Sequence, residues 1–151
     1  NEIDRWSDLI VNHDVLVLGS SLVEHGFMQA ESYEDLLSSV FGSETPAVLY
    51  KPHPSEIKRV FSKSQIEWYY DSLSDLPVEI FISHRMPKRL VSFGSTTSFL
   101  LMSNEIDLQN HLFLPKNLFC DSTFETLSKL SYQGVAFKHI TTTTSDYNQR
   151  K

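Results

Sequence analysis

Val15-Leu16-Val17-Leu18 is an unbroken apolar run, opened by Asp14 and closed by Gly19-Ser20-Ser21. A strand wet on one face alternates polar and apolar residues, whereas one covered on both faces does not. The run therefore reads as an inner strand of a parallel sheet. That constrains the rest of the chain, because parallel neighbours need crossover connections, which are usually helical. After a loop through Glu24-His25-Gly26, residues 31–41 place Tyr33, Leu36, Leu37 and Val40 at helical spacing, with Gly42 just beyond as a stop. Ala47-Val48-Leu49-Tyr50-Lys51 is the second strand, and it runs into Pro52-His53-Pro54, where two prolines exclude helix.

Residues 55–61 and 64–73 read as helical, the latter with Ile66, Tyr69, Tyr70 and Leu73 on one face. Residues 76–82 carry mixed signals. Pro77 suits a first helical turn and the β-branched residues suit a strand, and a short helix is expected. Arg89-Leu90-Val91-Ser92-Phe93 is a third strand, followed by the turn Gly94-Ser95-Thr96-Thr97-Ser98 and the helical run Phe99-Leu100-Leu101-Met102. A strand at residues 111–114, a helix over 122–130 opened by Asp121-Ser122 with Glu125 as capping-box partner, and a strand over 135–140 continue the alternation. The expected fold is an α/β, Rossmann-like parallel sheet with helices on both faces over residues 1–140, and the polar segment 141–151 reads as a disordered tail. In such a sheet the loops after Gly19, Lys51 and Phe93 open on one rim, where ligands bind.

Ten Phe, six Tyr and two Trp in 151 residues give enough apolar surface for a core without disulfides. A formal charge of −6 argues against a surface that tracks nucleic-acid phosphates. Cys120 is the lone cysteine, which fits a reducing, cytoplasmic setting, and no Cys/His spacing or carboxylate cluster calls for a metal or a cofactor. No apolar run reaches the roughly 20 residues of a membrane helix, and the first residues lack signal-peptide character, so a soluble domain is expected. The chain opens at Asn1 without methionine and reads as a piece of a longer protein or a processed product.

His53, held between prolines at a strand end, is positioned at little further entropic cost and can donate a hydrogen bond to an anion. Its plain alternative is a rigid loop with an exposed histidine. The turn from Gly94 through Ser95 and Thr96 offers backbone N–H groups and hydroxyls at a helix start, a ready anion site that also has the composition of an ordinary N-cap. It lacks the lysine and spacing of a P-loop. Glu24, Glu31, Glu34 and Asp35 lie in or after the first loop, where a carboxylate serves either as a general base or as a partner of the helix dipole. Glu79 is either a first-turn acid after Pro77 or a group that reaches a ribose hydroxyl.

Taken in order, Tyr50-Lys51-Pro52-His53-Pro54-Ser55-Glu56, Leu76-Pro77-Val78-Glu79 and Ser92-Phe93-Gly94-Ser95-Thr96-Thr97 form a pattern that resembles the bacterial sialyltransferases. The resemblance spans residues 14–115 and is nearest to glycosyltransferase family 52, the lipooligosaccharide sialyltransferases, with the bacterial polysialyltransferases next. Those families carry an HP motif and a later Ser-Ser/Thr motif in the carboxyl-terminal half of a two-domain GT-B fold. The resemblance implies that His53 and Pro54 are the HP motif, with His53 as phosphate ligand and general acid. It also implies that Gly94, Ser95 and Thr96 hold the phosphate and that Glu79 lies near the nucleotide. The families' acidic motif, two acids and a glycine, is matched only in part by Glu24-His25-Gly26, where His25 replaces an acid, so Glu24 and Glu31 both stand as the base.

The function implied is inverting transfer of sialic acid from a CMP-activated donor to a glycan hydroxyl at the cell surface, in lipooligosaccharide or capsule synthesis. An acceptor-binding domain would precede Asn1, and the full enzyme would sit peripherally at the inner face of a bacterial membrane. Charge grows on the CMP phosphate as the anomeric bond breaks, so fixed donors around it favour the transition state. One such donor is commonly worth about 3 kcal/mol of barrier, with no metal demanded. A different CMP- or CDP-linked donor, such as Kdo or a polyol phosphate, fits the same pocket. From another class, a non-catalytic α/β module that binds a nucleotide or a protein partner fits the fold.

Overall fold

The computed structural model describes residues 1–26, 28–62 and 65–92, together with the backbone of short strands at 107–110, 112–113 and 142–143. Its centre is a five-stranded sheet of β1 (Val15–Leu18), β2 (Val48–Lys51), β3 (Ile66–Trp68), β4 (Arg89–Ser92) and β5 (Asp107–Asn110). The order is β3-β2-β1-β4-β5, and every pairing is parallel. The chain builds outward from β1 through β2 to β3, then returns to the other side of β1 to lay down β4 and β5. The direction of winding thus reverses between β1 and β4, the place where sheets of this kind bind ligands.

Helices α1 (Glu2–Asn12) and α3 (Val78–Ile82) cover one face and α2 (Ala30–Phe41) covers the other. The strands divide their side chains between these layers with period two. Leu16, Leu18, Leu49 and Leu90 pack with Trp6 and Ile10 of α1 and with Val78, Phe81 and Ile82 of α3. Val15, Val17, Val48, Tyr50 and Val91 pack with Tyr33, Leu37 and Phe41 of α2. Both sides of β1 are therefore dry, which is why its sequence shows no alternation. Each fully buried side chain of this size contributes about 1.5–3 kcal/mol.

The helices begin and end as their sequences dictate. The Asn1 carboxamide accepts hydrogen bonds from the Ile3 and Asp4 amides at 2.7 and 3.3 Å, capping α1. α2 stops at Gly42, whose φ of 59° suits a residue without Cβ and whose N–H closes on the Ser38 carbonyl at 3.2 Å. The mixed segment at 76–82 forms the short helix α3 after Pro77.

Two expected helices are absent, and in both places tertiary partners override local propensity. Residues 55–61 form one turn and then an irregular stretch. A helix there would direct the Ile57 N–H to the carbonyl four residues back, but it donates to Glu24 Oε1 at 3.1 Å, and the Ser62 N–H donates to Glu34 Oε1 at 2.5 Å. Of the expected helix over 64–73, Ile66–Trp68 is instead the edge strand β3, with turns following it. Its backbone pairs with β2, and the Trp68 ring stacks on Tyr50 at 5.1 Å. Ile66 and Trp68 join the α2 side while Tyr69 joins the other, so an alternating segment reads as helical on too short a window.

The next sheet strand is Asp107–Asn110, ahead of the strand expected at 111–114. As an edge strand it tolerates polar sequence that an inner strand would not. Leu112–Phe113, β6, pairs in parallel with β7 (Thr142–Thr143) in a separate two-stranded sheet, and β7 falls inside the segment 141–151. The expected helices at 99–102 and 122–130 and the strand at 135–140 lie outside the described residues.

Trp6 anchors the α1–α3 layer. It is fully buried, stacks on Phe81 at 4.7 Å, meets Tyr69 edge-on at 4.9 Å, and donates its Nε1–H to Asp71 Oδ1 at 3.1 Å. Trp6→Ala is expected to cost about 3–5 kcal/mol in urea unfolding, and a loss below about 1 kcal/mol would remove Trp6 from this role.

Candidate functional site

Register brings three strand ends to one edge. Leu18 lies opposite Lys51 on one side and opposite Ser92 on the other. The Gly19 N–H extends the β1–β2 ladder by donating to the Lys51 carbonyl at 2.8 Å. Beside these ends is a cleft of about 210 Å³, lined by Leu18 and Gly19, by residues 51–54 after β2, and by residues 75–78 leading into α3. A larger hollow of about 410 Å³ lies at the opposite end of β2, near Phe41, Gly42 and Pro46. Its one acid, Glu44, is paired with Arg89 at 2.9 Å, so the convergent chemistry is in the smaller cleft.

The loop that carries His53 is built like the start of a helix that never propagates. His53 occupies the N-cap place, Pro54 the first-turn place, and Glu56 the third. The His53 ring accepts at Nδ1 from the Ser55 N–H, 3.1 Å away. Glu56 reaches back so that its Oε2 accepts from the His53 N–H at 2.8 Å, and the Glu56 N–H donates to the His53 carbonyl at 2.9 Å. The next amide, that of Ile57, is captured by Glu24, and the turn ends there.

Glu56 is also rooted in the core. Its Oε1 accepts from the Tyr50 hydroxyl at 2.6 Å, and Tyr50 in turn shares a 2.8 Å hydrogen bond with Tyr33. Gly19 makes room for this cluster, since a Cβ there would sit 2.7 Å from the Tyr50 hydroxyl and also strike the Glu56 carboxyl. Burial pushes the Glu56 carboxyl up to about 7, aided by Glu24 and opposed by its hydrogen bonds and by Arg59. Burial likewise pushes the Tyr33 hydroxyl up to about 12 and the Tyr50 hydroxyl well above its ordinary range.

Glu24 and Arg59 form a close ion pair, both largely shielded from solvent, with the guanidinium 5.4 Å from the centre of the Tyr33 ring. Glu24 thereby ties the loop after β1 to the loop after β2. Glu31 is exposed in the first turn of α2 and is not among the described residues that line the cleft. Glu79 is half-buried in the first turn of α3. It acts on Lys51, whose ammonium burial pulls below its ordinary value against the opposing charges of Asp75, Glu79 and Asp71. Lys51 Nζ donates to the Ser74 carbonyl at 2.6 Å, holding the turn that forms the far wall of the cleft. Asp71 folds that turn, accepting from Trp6, Tyr69, Leu73 and Ser74.

The structure thus gathers His53, Pro54 and Pro77 around one cleft, with Glu24 fastened to the same loop and Glu31 apart. Gly94, Ser95 and Thr96 lie outside the described residues. Sequence reasoning passed over Glu56, Lys51 and Arg59 as site residues. A signal for Glu56 was present, because an acid three residues after His53 with proline between them is half of a capping box. Lys51 had none, because a lysine closing a strand ordinarily points to water. Among the described residues no group of three or more His, Cys, Asp or Glu side chains is placed to hold a metal ion, and no helix is long and apolar enough to cross a membrane.

Residues 7–106 match the family model of the alpha-2,8-polysialyltransferases. The chain belongs to the alpha-2,8-polysialyltransferase family. The match takes in β1, the Pro52-His53-Pro54 turn, α3, β4 and the Gly94-Ser95-Thr96 segment, so both motifs that carried the resemblance lie within it. The alpha-2,8-polysialyltransferases are glycosyltransferases of the sialyltransferase type, a class whose reaction implies a CMP-sugar donor and a glycan acceptor. No curated protein and no solved structure gives a significant match to the chain.

The buried carboxyl makes stability depend on pH in a definite sense. Folded, Glu56 keeps its proton up to about pH 7, while in the unfolded chain it releases it near the ordinary 4.5. Its contribution is therefore fully present below pH 4.5 and is lost as pH rises through about 7. Urea unfolding across that window should show wild type losing roughly 2–3 kcal/mol relative to Glu56→Gln. Parallel pH profiles for the two proteins would contradict the burial of this acid.

Proposed function

We propose that the cleft at the carboxyl edge binds the CMP part of a CMP-activated sialic acid, with His53 at its phosphate. In this reading the chain is the donor-binding half of a GT-B transferase. The observation that carries the reading is the place of the His53 turn. It leaves β2 beside the end of β1, at the edge where β4 also ends and where the order of strands reverses, in a chain of a polysialyltransferase family. Ser95 and Thr96 follow the end of β4 at Ser92 after Phe93 and Gly94 in sequence, which supports their assignment to the same phosphate.

The reaction is displacement with inversion. The bond from the anomeric carbon to the phosphate oxygen breaks, a bond from that carbon to the acceptor hydroxyl oxygen forms, and the hydroxyl proton passes to a carboxylate. Of Glu24 and Glu31, the two acids the resemblance offers for that base, Glu24 is the one fastened to the His53 loop and is assigned the role. CMP departs with the bonding electron pair, and the growing phosphate charge is opposed by His53 and by the hydroxyls of Ser95 and Thr96. Pro54 shapes the His53 turn, Gly94 is assigned to the phosphate segment with Ser95 and Thr96, and Glu79 is assigned to the nucleoside. The glycan acceptor enters from a second domain across the cleft, and the full enzyme works at the inner, cytoplasmic face of the membrane. The chemistry needs no metal and no cofactor.

Calorimetry with CMP tests the assignment. Wild type should bind, and His53→Ala and Ser95→Ala should each weaken binding by about tenfold to a hundredfold, the worth of one hydrogen bond to a charged group. Unchanged affinity in both variants would refute the site. Competition by CDP-linked polyols or CMP-Kdo, set against CMP-sialic acid, distinguishes the donor sugar. CMP binding with no donor hydrolysis or transfer, once an acceptor domain is supplied, would favour a non-catalytic binding module.

A further inference from the structure

We propose that Glu56 is a positioning residue, which clamps the His53 turn so that the Ser55 N–H holds the imidazole in one tautomer, with its proton on Nε2 and facing the ligand. This deepens the donor-site reading and rests on it for the identity of the ligand, though not for the geometry. Three hydrogen bonds close the turn on itself: Ser55 N–H to His53 Nδ1 at 3.1 Å, His53 N–H to Glu56 Oε2 at 2.8 Å, and Glu56 N–H to the His53 carbonyl at 2.9 Å. A fourth, from the Tyr50 hydroxyl to Glu56 Oε1 at 2.6 Å, fastens the turn to a fully buried tyrosine of β2. The exposed loop therefore inherits the rigidity of the core through one carboxyl.

A ring nitrogen that accepts a hydrogen bond carries no proton. With Nδ1 engaged by an amide, the neutral ring bears its hydrogen on Nε2 and is a donor there. The resting ring thus offers a phosphate a directed hydrogen bond. A second proton on Nδ1 would face the Ser55 N–H head-on. The leaving group does not require that proton, because a phosphate monoester has its second pKa near 6 and departs as the dianion around neutral pH. His53 therefore serves as an oriented Nε2 donor to the phosphate, which refines the acid role drawn from the resemblance. Gln can replace Glu56 in the clamp. Its carbonyl accepts from the His53 N–H and its amide donates to the Tyr50 hydroxyl, which turns its own proton to Tyr33, 2.8 Å away. Ala cannot.

The test is long-range proton–nitrogen correlation NMR on the unliganded chain with labelled histidine, at about pH 8, where an ordinary histidine is neutral. The His53 signals are assigned by their loss in His53→Asn. Wild type and Glu56→Gln should show a protonated Nε2 and a bare Nδ1, and Glu56→Ala should show the averaged nitrogens of a mixed population. A proton on Nδ1 in wild type would overturn the proposal, and so would an unaltered tautomer in Glu56→Ala. If Glu56→Ala does not fold, Glu56→Asp takes its place with the same two outcomes, being a methylene too short to span Tyr50 and the His53 amide. CMP calorimetry adds the functional arm, with Glu56→Gln within about twofold of wild type and Glu56→Ala or Glu56→Asp weakened about tenfold by lost preorganisation. Equal affinity across all of these would also overturn the proposal. Failure of wild type to bind CMP would sink the donor reading alone, and the tautomer measured by NMR would still decide the role of Glu56.

Discussion

Pairing β1 with β2 along one side and with β4 along the other is the constraint from which the rest of the molecule follows. A strand hydrogen-bonded at both edges and covered on both faces has no freedom to slip, because a shift of one residue would exchange the side chains between the α1–α3 layer and the α2 layer. Leu16 and Leu18 fit the first layer and Val15 and Val17 the second. Once that register is set, Leu18, Lys51 and Ser92 stand in a row, and whatever follows them leaves the sheet at the same edge.

What gives that edge its chemistry is an exchange of hydrogen-bond partners. Backbone N–H groups that would ordinarily donate to carbonyls in a helix after β2 are taken by carboxylates from elsewhere, Ile57 by Glu24 and Ser62 by Glu34, while Glu56 closes the His53 turn from within. The loop is thereby fastened to the segment after β1 and to α2, and it keeps an open ring of histidine at its tip. Burying polar groups for this purpose is costly unless each is paired. Tyr33, Tyr50 and Glu56 meet that requirement in one hydrogen-bonded chain, for which Gly19 leaves the space, while the Glu24–Arg59 ion pair leaves Glu24 Oε2 and Arg59 Nη1 buried without a partner among the described residues.

The legible parts of the fold were those where local pattern and tertiary burial agree. Unbroken apolar runs marked β1 and β2, glycine marked the end of α2, and Pro77 marked the start of α3. The illegible parts were those where a distant group overruled the local pattern. Residues 55–61 follow half of a capping box at His53 and have helical composition, yet an acid more than thirty positions earlier in the chain removes the amide that the second turn needs. Ile66–Trp68 reads as one turn of a helical face, yet the open edge of β2 offers it a ladder. In the site the same division holds. His53 announced itself through its prolines, while Lys51 became a buried brace only because the turn at 71–75 folds over it.

From the order of its residues alone, this chain determined an α/β sheet, the positions of its inner strands, and a histidine held rigidly at a strand's end, because short-range sterics and periodic burial act within a few residues. Only the tertiary structure decided which strands neighbour one another, which loop stays unwound, and which acid steadies the histidine. Those outcomes depend on hydrogen-bond competition and close packing between segments far apart in the chain, and neither is encoded in any one of them.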